Sequence, residues 1–297
     1  MSKPEIISTV PALRDVIDGW RREGLRVALV PTMGALHEGH LELVRHGREV
    51  ANRVVVSIFV NPKQFGPGED FGAYPRVADR DRHLLGGLAD CVYGPAGAEM
   101  YPEGFSTAVT VEGPSAGFEG AIRPGHFSGV ATIVCKLFTQ SGADAAIFGE
   151  KDWQQLQVVR RLVRDLDLRT EIVPHATVRD EHGLALSSRN AFLSAGELVV
   201  ARRLNVVMRD VAEGLTTTAG SDWAATLRVG ECALRDAGFA AVDYLTAVEA
   251  ETLVPADDLS RPARLLVAAR LGSVRLLDNI AVPPPPQRGP EADTTGH

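Results

Sequence analysis

Apolar positions along the chain follow two periods. Short runs rich in β-branched residues occur at VALV (27–30), VVVSIF (54–59), DCVYG (90–94), TAVTV (107–111) and DAAIFG (144–149). Between them, over 40–51, 77–89, 128–140 and 152–165, apolar residues recur at helical spacing. Runs of the first kind predict buried strands and those of the second predict amphipathic helices. Their alternation predicts an α/β fold: a Rossmann-like, doubly wound parallel sheet covered on both faces.

The pattern changes in the second half. EIVPHATVRDEHGLALSSRN (171–190) carries one more strand and then a polar loop. Ser194-Ala-Gly-Glu197 reads as a capping box opening a helix to about residue 213. TTTAGS suggests a turn, 222–237 a further helix, and 240–248, 264–270 and 274–282 three strands. The last two flank Leu271-Gly272-Ser273, a hairpin turn. These elements predict a Rossmann-like domain over 1–177 and a smaller α+β C-terminal lid domain over 178–283. The Pro-rich segment 284–297 has the composition of a disordered tail. No internal repeat is visible.

Bulk composition narrows the class. At 297 residues, with 45% hydrophobic and 23% charged positions, the chain is an ordinary globular protein able to bury a substantial core. A net charge of −7 argues against general nucleic-acid binding. MSKPEIISTV has no signal-peptide core, and no apolar run is long enough to span a bilayer. Three scattered cysteines, Cys91, Cys135 and Cys232, suit a reducing cytoplasm better than a disulfide framework. The expectation is a soluble cytoplasmic protein.

The most informative stretch is VPTMGALHEGH (30–40). An apolar run ends in a Gly-containing turn, and His37 and His40 stand where an amphipathic stretch begins. In a parallel sheet this is the carboxyl end of a strand and the amino end of a helix, where N–H groups and the helix dipole favour an anion. Imidazoles there suit a polyphosphate, since they donate hydrogen bonds to growing oxygen charge. Read alone, two histidines three apart are also consistent with surface or capping residues. A zinc site is disfavoured, because the i, i+4 pair with an intervening glutamate is missing.

Phe148-Gly149-Glu150-Lys151-Asp152 follows a strand and opens a helix, so Lys151 can set its ammonium against a phosphate and Asp152 can hold a metal-bound or hydroxyl-bearing ligand. Leu186-Ser187-Ser188-Arg189-Asn190 can clamp phosphate or serve as a capping turn. Asn61 and Gln64, at the close of the second strand, carry amides suited to a hydroxy acid. Glu119, Arg123 and His126 lie in a Gly-rich stretch before a helix. Neither GxxxxGK[ST] nor a strand-following GxGxxG occurs, so neither a P-loop nor a dinucleotide cofactor is supported.

VPTMGALHEGH contains the HxGH signature of the nucleotidyltransferase superfamily. Together with SIFVNPKQFGPGEDFGAYPR, RPGHFSGVATIV, FGEKDWQQLQVVRRLVRDL, VRDEHGLALSSRN and RLLVAARLGSVRLLDNI, in that order over roughly residues 20–282, it closely resembles the pantothenate synthetase (pantoate–β-alanine ligase) family. The resemblance implies that ATP and (R)-pantoate form a pantoyl adenylate and pyrophosphate with Mg²⁺. β-Alanine then displaces AMP to give pantothenate, in a homodimer. It implies that His37, His40, Lys151 and Arg189 are catalytic, with His40 protonating the leaving group. ATP contacts would come from Met33, Gly34, Ala35, Leu36, His37, Glu38, Gly39, His40, Gly149, Glu150, Lys151, Asp152, Val178, Leu186, Ser187, Ser188 and Arg189. Pantoate would meet Gln64 and Gln155, with Asn61 and His126 lining that pocket or supporting it; Glu119 and Arg123 would hold structure. A nucleotidyltransferase releasing a stable nucleotide product is the alternative, against which NPKQF and RPGHF speak. Lys63, Trp153 and Leu186 depart from the family's usual Met, Tyr and Met, and Arg80 interrupts the acidic run at Asp79-Arg80-Asp81, leaving Asp79 and Asp81 as the carboxylates that could help to bind Mg²⁺, with Asp81 the candidate metal ligand.

Overall fold

The computed structural model describes residues 3–66, 69, 71, 72, 74–217 and 223–283. The chain divides into two compact units between Ser194 and Ala195.

The first unit runs β1 (Glu5–Ile7), α1 (Val10–Arg22), β2 (Val27–Thr32), α2 (Glu38–Val50), β3 (Arg53–Ile58), α3 (Ala78–Leu84), β4 (Cys91–Tyr93), α4 (Gly97–Met100), α5 (Phe118–Ile122), α6 (His126–Ser141), β5 (Ala145–Gly149), α7 (Trp153–Asp165) and β6 (Glu171–His175). All six strands are parallel, in the order β1-β4-β3-β2-β5-β6. This is the expected doubly wound sheet. Because β2 and β3 are covered on both faces, their side chains are buried almost without alternation. Ala28, Val30, Val54 and Val56 pack with Leu41 and Val44 of α2 into one apolar core. The strand order reverses between β2 and β5, so a crevice opens at their carboxyl ends. Pro174, which lacks an N–H, is tolerated in β6 because that strand lies at the sheet edge.

Several sequence expectations are corrected. TAVTV (107–111) is not a strand: the Val109 N–H donates to Thr132 Oγ1 (2.9 Å) and its carbonyl accepts from Ser128 Oγ (3.2 Å), so α6 side chains satisfy this backbone. The edge beside β4 is taken by β1, too short to register as a periodic run. The helix expected over 77–89 ends at Leu84, before Gly86 and Gly87, the latter at φ +76°. The segment from residue 178 stays with the first unit, where Arg179 and Ala185 bridge antiparallel and Leu184 and Ala185 are buried.

The second unit holds α8 (Ala195–Ala201), α9 (Arg203–Thr217), α10 (Trp223–Asp236) and an antiparallel sheet β7 (Ala241–Glu249), β8 (Ala263–Leu271), β9 (Val274–Val282). The single helix expected after Ser194 is two, interrupted at Arg202. The hairpin expected at Leu271-Gly272-Ser273 is present, and because Leu271 pairs with Val274 the turn itself is Gly272-Ser273, with Gly272 at φ +56°. Thr216 and Thr217 of the expected TTTAGS turn belong to α9; the rest of that turn and the Pro-rich tail lie outside the described residues.

Candidate active site

The chain turns sharply between β2 and α2. Gly34 sits at φ +83° and Ala35 at φ +51°. The second value is strained for a residue with a Cβ. Asp81, 1% exposed, holds this turn: Oδ2 accepts from the Ala35 N–H and Oδ1 from the Leu36 N–H, each at 2.8 Å. Burial raises its pKa, and the two backbone donors act against that rise. Asp81 therefore holds the loop, each oxygen accepting from one backbone N–H. Among the described residues no group of three or more His, Cys, Asp and Glu could hold a metal ion.

The turn delivers His37 to the N-cap of α2, and its carbonyl accepts from the His40 N–H at 2.8 Å. The two imidazoles stand 4.0 Å apart, centroid to centroid. Gly39 leaves room for them: a Cβ there would lie 3.0 Å from His37 Nδ1. His40 Nδ1 faces the His37 N–H at 3.4 Å, which leaves Nε2–H as the donor. Burial, then Lys151, lowers the His37 pKa to about 4; burial, then His37, lowers that of His40 to about 3. Both are thus uncharged near neutrality. They offer neutral N–H groups to a triphosphate, whose negative charge would raise both pKa values.

Across the crevice, Gly149 ends β5 and Lys151 and Asp152 enter α7 through a tight 3₁₀ turn. Lys151 Nζ lies 3.5 Å from Asp152 Oδ1. Burial pushes the Asp152 pKa up, but Lys151 and Arg189 outweigh it, and the net shift is downward. The hairpin after β6 closes through Leu186 N–H to the Val178 carbonyl (2.9 Å). Ser187 then caps a 3₁₀ turn over Ser188–Phe192, its Oγ accepting from the Arg189 N–H at 3.3 Å. The capping and clamping readings of this stretch are compatible, because Ser187, Ser188 and Arg189 also line the cleft.

One cleft brings together Met33, His37, Gly39, His40, Asn61, Gln64, Gly149, Lys151, Asp152, Gln155, Val178, Leu186, Ser187, Ser188 and Arg189. Other expected residues stand apart from its lining. Gly34, Ala35 and Leu36 form the buried turn beneath it, and Glu38 pairs with Arg45 at the exposed side of α2. Glu150 is in the turn before α7 but not on the wall. Of the two roles open to His126, lining the pocket or supporting it, the geometry favours support: Nδ1 donates to the Gln64 carbonyl (2.8 Å), and Arg123 donates to Nε2 (3.2 Å) while pairing with Glu69. Lys63 points outward, 5.2 Å from the Tyr101 and Phe105 ring centres. Of the neighbouring Gln154 and Gln155, the first is spent on the carbonyls of Pro114, Ala116 and Gly117; only the second reaches the cleft.

Sequence reading missed the apolar wall of Phe59, Val130, Ile133, Val134 and Leu137, and also Thr32, Tyr74 and Thr177. A signal existed for α6: its apolar residues run almost all round, more than one core-facing stripe needs.

The lowered imidazole pKa values set the pH dependence of stability. The unfolded chain takes up protons at these histidines below about pH 6.5, while the folded chain resists until about pH 4 and 3. Their contribution is fully present above about pH 6.5 and is lost as pH falls towards 3, by at most about 1.4 kcal/mol per histidine per pH unit. Urea midpoints of the wild type are expected to fall between pH 7 and 5 more steeply than those of a His37→Gln/His40→Gln variant. Parallel profiles would mean that both imidazoles titrate normally.

Two uncharged imidazoles at a helix entrance and Lys151 with Arg189 opposite suit a polyanion at a sheet switch point. That combination defines a nucleotide-handling α/β enzyme. Comparison with known proteins is specific. Residues 5–281 match the family described as pantoate-beta-alanine ligase. Pantothenate synthetase of Mesorhizobium japonicum is 54% identical over 286 residues, covering 95% of this chain and 99% of the relative. The crystal structure of pantothenate synthetase from Thermus thermophilus superposes with a TM-score of 0.87 at 48% identity, covering 94% of this chain and 100% of the other. Pantoate-beta-alanine ligase from Francisella tularensis, complexed with beta-gamma ATP and beta-alanine, gives 0.78 at 29% identity, covering 94% and 97%. The chain belongs to the pantoate–β-alanine ligase family.

Proposed function

We propose that this chain condenses (R)-pantoate with β-alanine at the expense of ATP. A pantoate carboxylate oxygen attacks the α-phosphorus, forming the acyl–phosphate bond as pyrophosphate leaves. The β-alanine amine then attacks the acyl carbon, the amide bond forms, and AMP leaves with the electron pair of the broken bond. The observation that carries the reading is a single cleft holding both subsites: uncharged amides of Gln64 and Gln155 on one side, and His37, His40, Lys151, Ser187, Ser188 and Arg189 on the other. That arrangement supplies alignment and charge neutralisation, which phosphoryl transfer needs more than acid–base work. Lys151 and Arg189 neutralise the triphosphate and the charge that grows on it. His37 and His40 donate to its oxygens.

The described residues do not fit a protein-held magnesium cage, so Mg²⁺ belongs to the nucleotide substrate. A homodimer and a cytoplasmic location accompany this reading. The unpaired Cys91, Cys135 and Cys232 support the second, and light scattering tests the first.

The deciding assay measures AMP and pyrophosphate from MgATP and (R)-pantoate, with and without β-alanine. The reading predicts AMP and pantothenate only when both acid and amine are present. Pyrophosphate release with no amine-dependent AMP would retain nucleotidyl transfer and discard the amine. MgATP is also expected to protect the segment 183–192 from limited proteolysis, as Ser187, Ser188 and Arg189 engage phosphate. Unchanged cutting there would remove that segment from the nucleotide site.

A further inference from the structure

Gln64 and Asn61 form a polar cluster buried among apolar residues, 8% and 1% exposed. The orientation of the Asn61 amide is set by two backbone groups that cannot exchange roles. Its Nδ2 donates to the Gly129 carbonyl at 3.1 Å, and its Oδ1 accepts from the Lys63 N–H at 3.3 Å. The same Nδ2 donates to Gln64 Oε1 at 3.1 Å, so the Gln64 carbonyl oxygen is turned inward and its NH₂ outward. Among the described residues that NH₂ meets the Met33 thioether sulfur, at 3.0 Å, a weak acceptor that a carboxylate or hydroxyl oxygen would displace. The approach depends on Gly129, where a Cβ would overlap the Lys63 carbonyl.

Tyr101 completes the cluster from outside the cleft. Its hydroxyl donates to Asn61 Oδ1 at 2.7 Å, the shortest hydrogen bond of the group. Its ring packs at 5.0 Å, centre to centre, on Phe105 and carries the Lys63 ammonium 5.2 Å from its centroid. A cation over the ring draws electron density from the phenol and strengthens its hydroxyl as a donor.

We propose that Tyr101 is a positioning residue for the acid substrate: together with the two backbone groups it holds the Asn61 amide in place, and Asn61 in turn turns the Gln64 NH₂ outward, so that this subsite presents N–H to an oxygen acceptor. The inference rests on the ligase reading for the identity of the acid, but the hydrogen-bond chain itself does not. Tyr101 touches no substrate, so its loss affects the acid and not the nucleotide.

Two variants and two measurements test it. Tyr101→Phe keeps the ring and removes the donor; the KM for pantoate is expected to rise about tenfold, with kcat and the KM for ATP within about twofold. Gln64→Glu keeps an oxygen facing Asn61 and places a second one where the NH₂ stood. It is expected to raise the KM for pantoate at least about a hundredfold while the KM for ATP stays put. In parallel, hydrogen exchange at the Asn61 side-chain NH₂, followed by NMR, is expected to be slow in the wild type and faster in Tyr101→Phe. An unchanged pantoate KM in Tyr101→Phe, equal losses for both substrates, or unaltered Asn61 exchange would each overturn the proposal. A wild type that ignores pantoate would overturn the ligase reading, and the exchange measurement would still decide whether Tyr101 holds Asn61.

Discussion

Lys151→Ala is expected to slow pantoyl-adenylate formation about 10²–10³-fold and to leave pantoate affinity within about twofold. The lysine side chain is 21% exposed in a cleft that Arg189 also lines. In such a site a point charge is screened less than in water, and it matters most when phosphoryl oxygens gain charge in the transition state. In the proposed reading pantoate meets Gln64 and Gln155, supported by Asn61, and these hydrogen-bonding groups remain without the lysine. Single-turnover adenylate formation and equilibrium binding of pantoate separate the two effects. Equal losses in rate and binding would make Lys151 a contributor of uniform binding. Lys151→Arg is expected to restore only part of the rate, because a planar fork cannot occupy the position of a compact ammonium.

Asp81→Asn is expected to destabilise the protein by about 2–4 kcal/mol and to slow adenylation as well. Asp81 gives one oxygen to the Ala35 N–H and the other to the Leu36 N–H. Asparagine has a single acceptor oxygen, and its NH₂ would then face an N–H in a buried site. The lost bond is charge-assisted and the stranded donor is desolvated, so both terms act in the same direction. Ala35 at φ +51° also loses the contact that holds it in a strained conformation. The disturbance passes directly to His37 and His40, which follow the turn. Urea unfolding with and without Mg²⁺ discriminates the roles. A loop-holding Asp81 gives the same loss of stability in both conditions. A metal ligand would instead leave stability intact and shift the Mg²⁺ dependence of turnover.

Much of the site was legible because it lies in continuous motifs. His37 and His40, Lys151 and Asp152, and Ser187 to Arg189 each follow a strand or hairpin, and the sheet's switch point brings these ends to one crevice. The roles of Asp81 and His126 were not legible in the sequence, for one shared reason. Residue type shows that a carboxylate or an imidazole is present, but not which backbone groups face it. Asp81 spends its charge on two N–H groups 45 and 46 residues earlier, and His126 donates to a carbonyl 62 residues away. The apolar wall from α6 was hidden for a related reason: a helix that is apolar nearly all round does not say which side meets a cavity.

The strands and helices of the sheet and most of its order of alternation follow from local periodicity, since burial on both faces demands continuous apolar runs and covering helices demand a 3.6-residue repeat. The turn at Gly272-Ser273 is equally local, set by two residues and the pairing on either side. What only the tertiary structure decided is every assignment that depends on a distant partner. Thr132 and Ser128 take the backbone of 107–111 away from the sheet, β1 occupies the edge beside β4, and residues 178–194 join the first unit. A hydrogen bond satisfies a group wherever its partner lies along the chain, and sequence patterns record composition and spacing, not the distant group that satisfies each donor and acceptor.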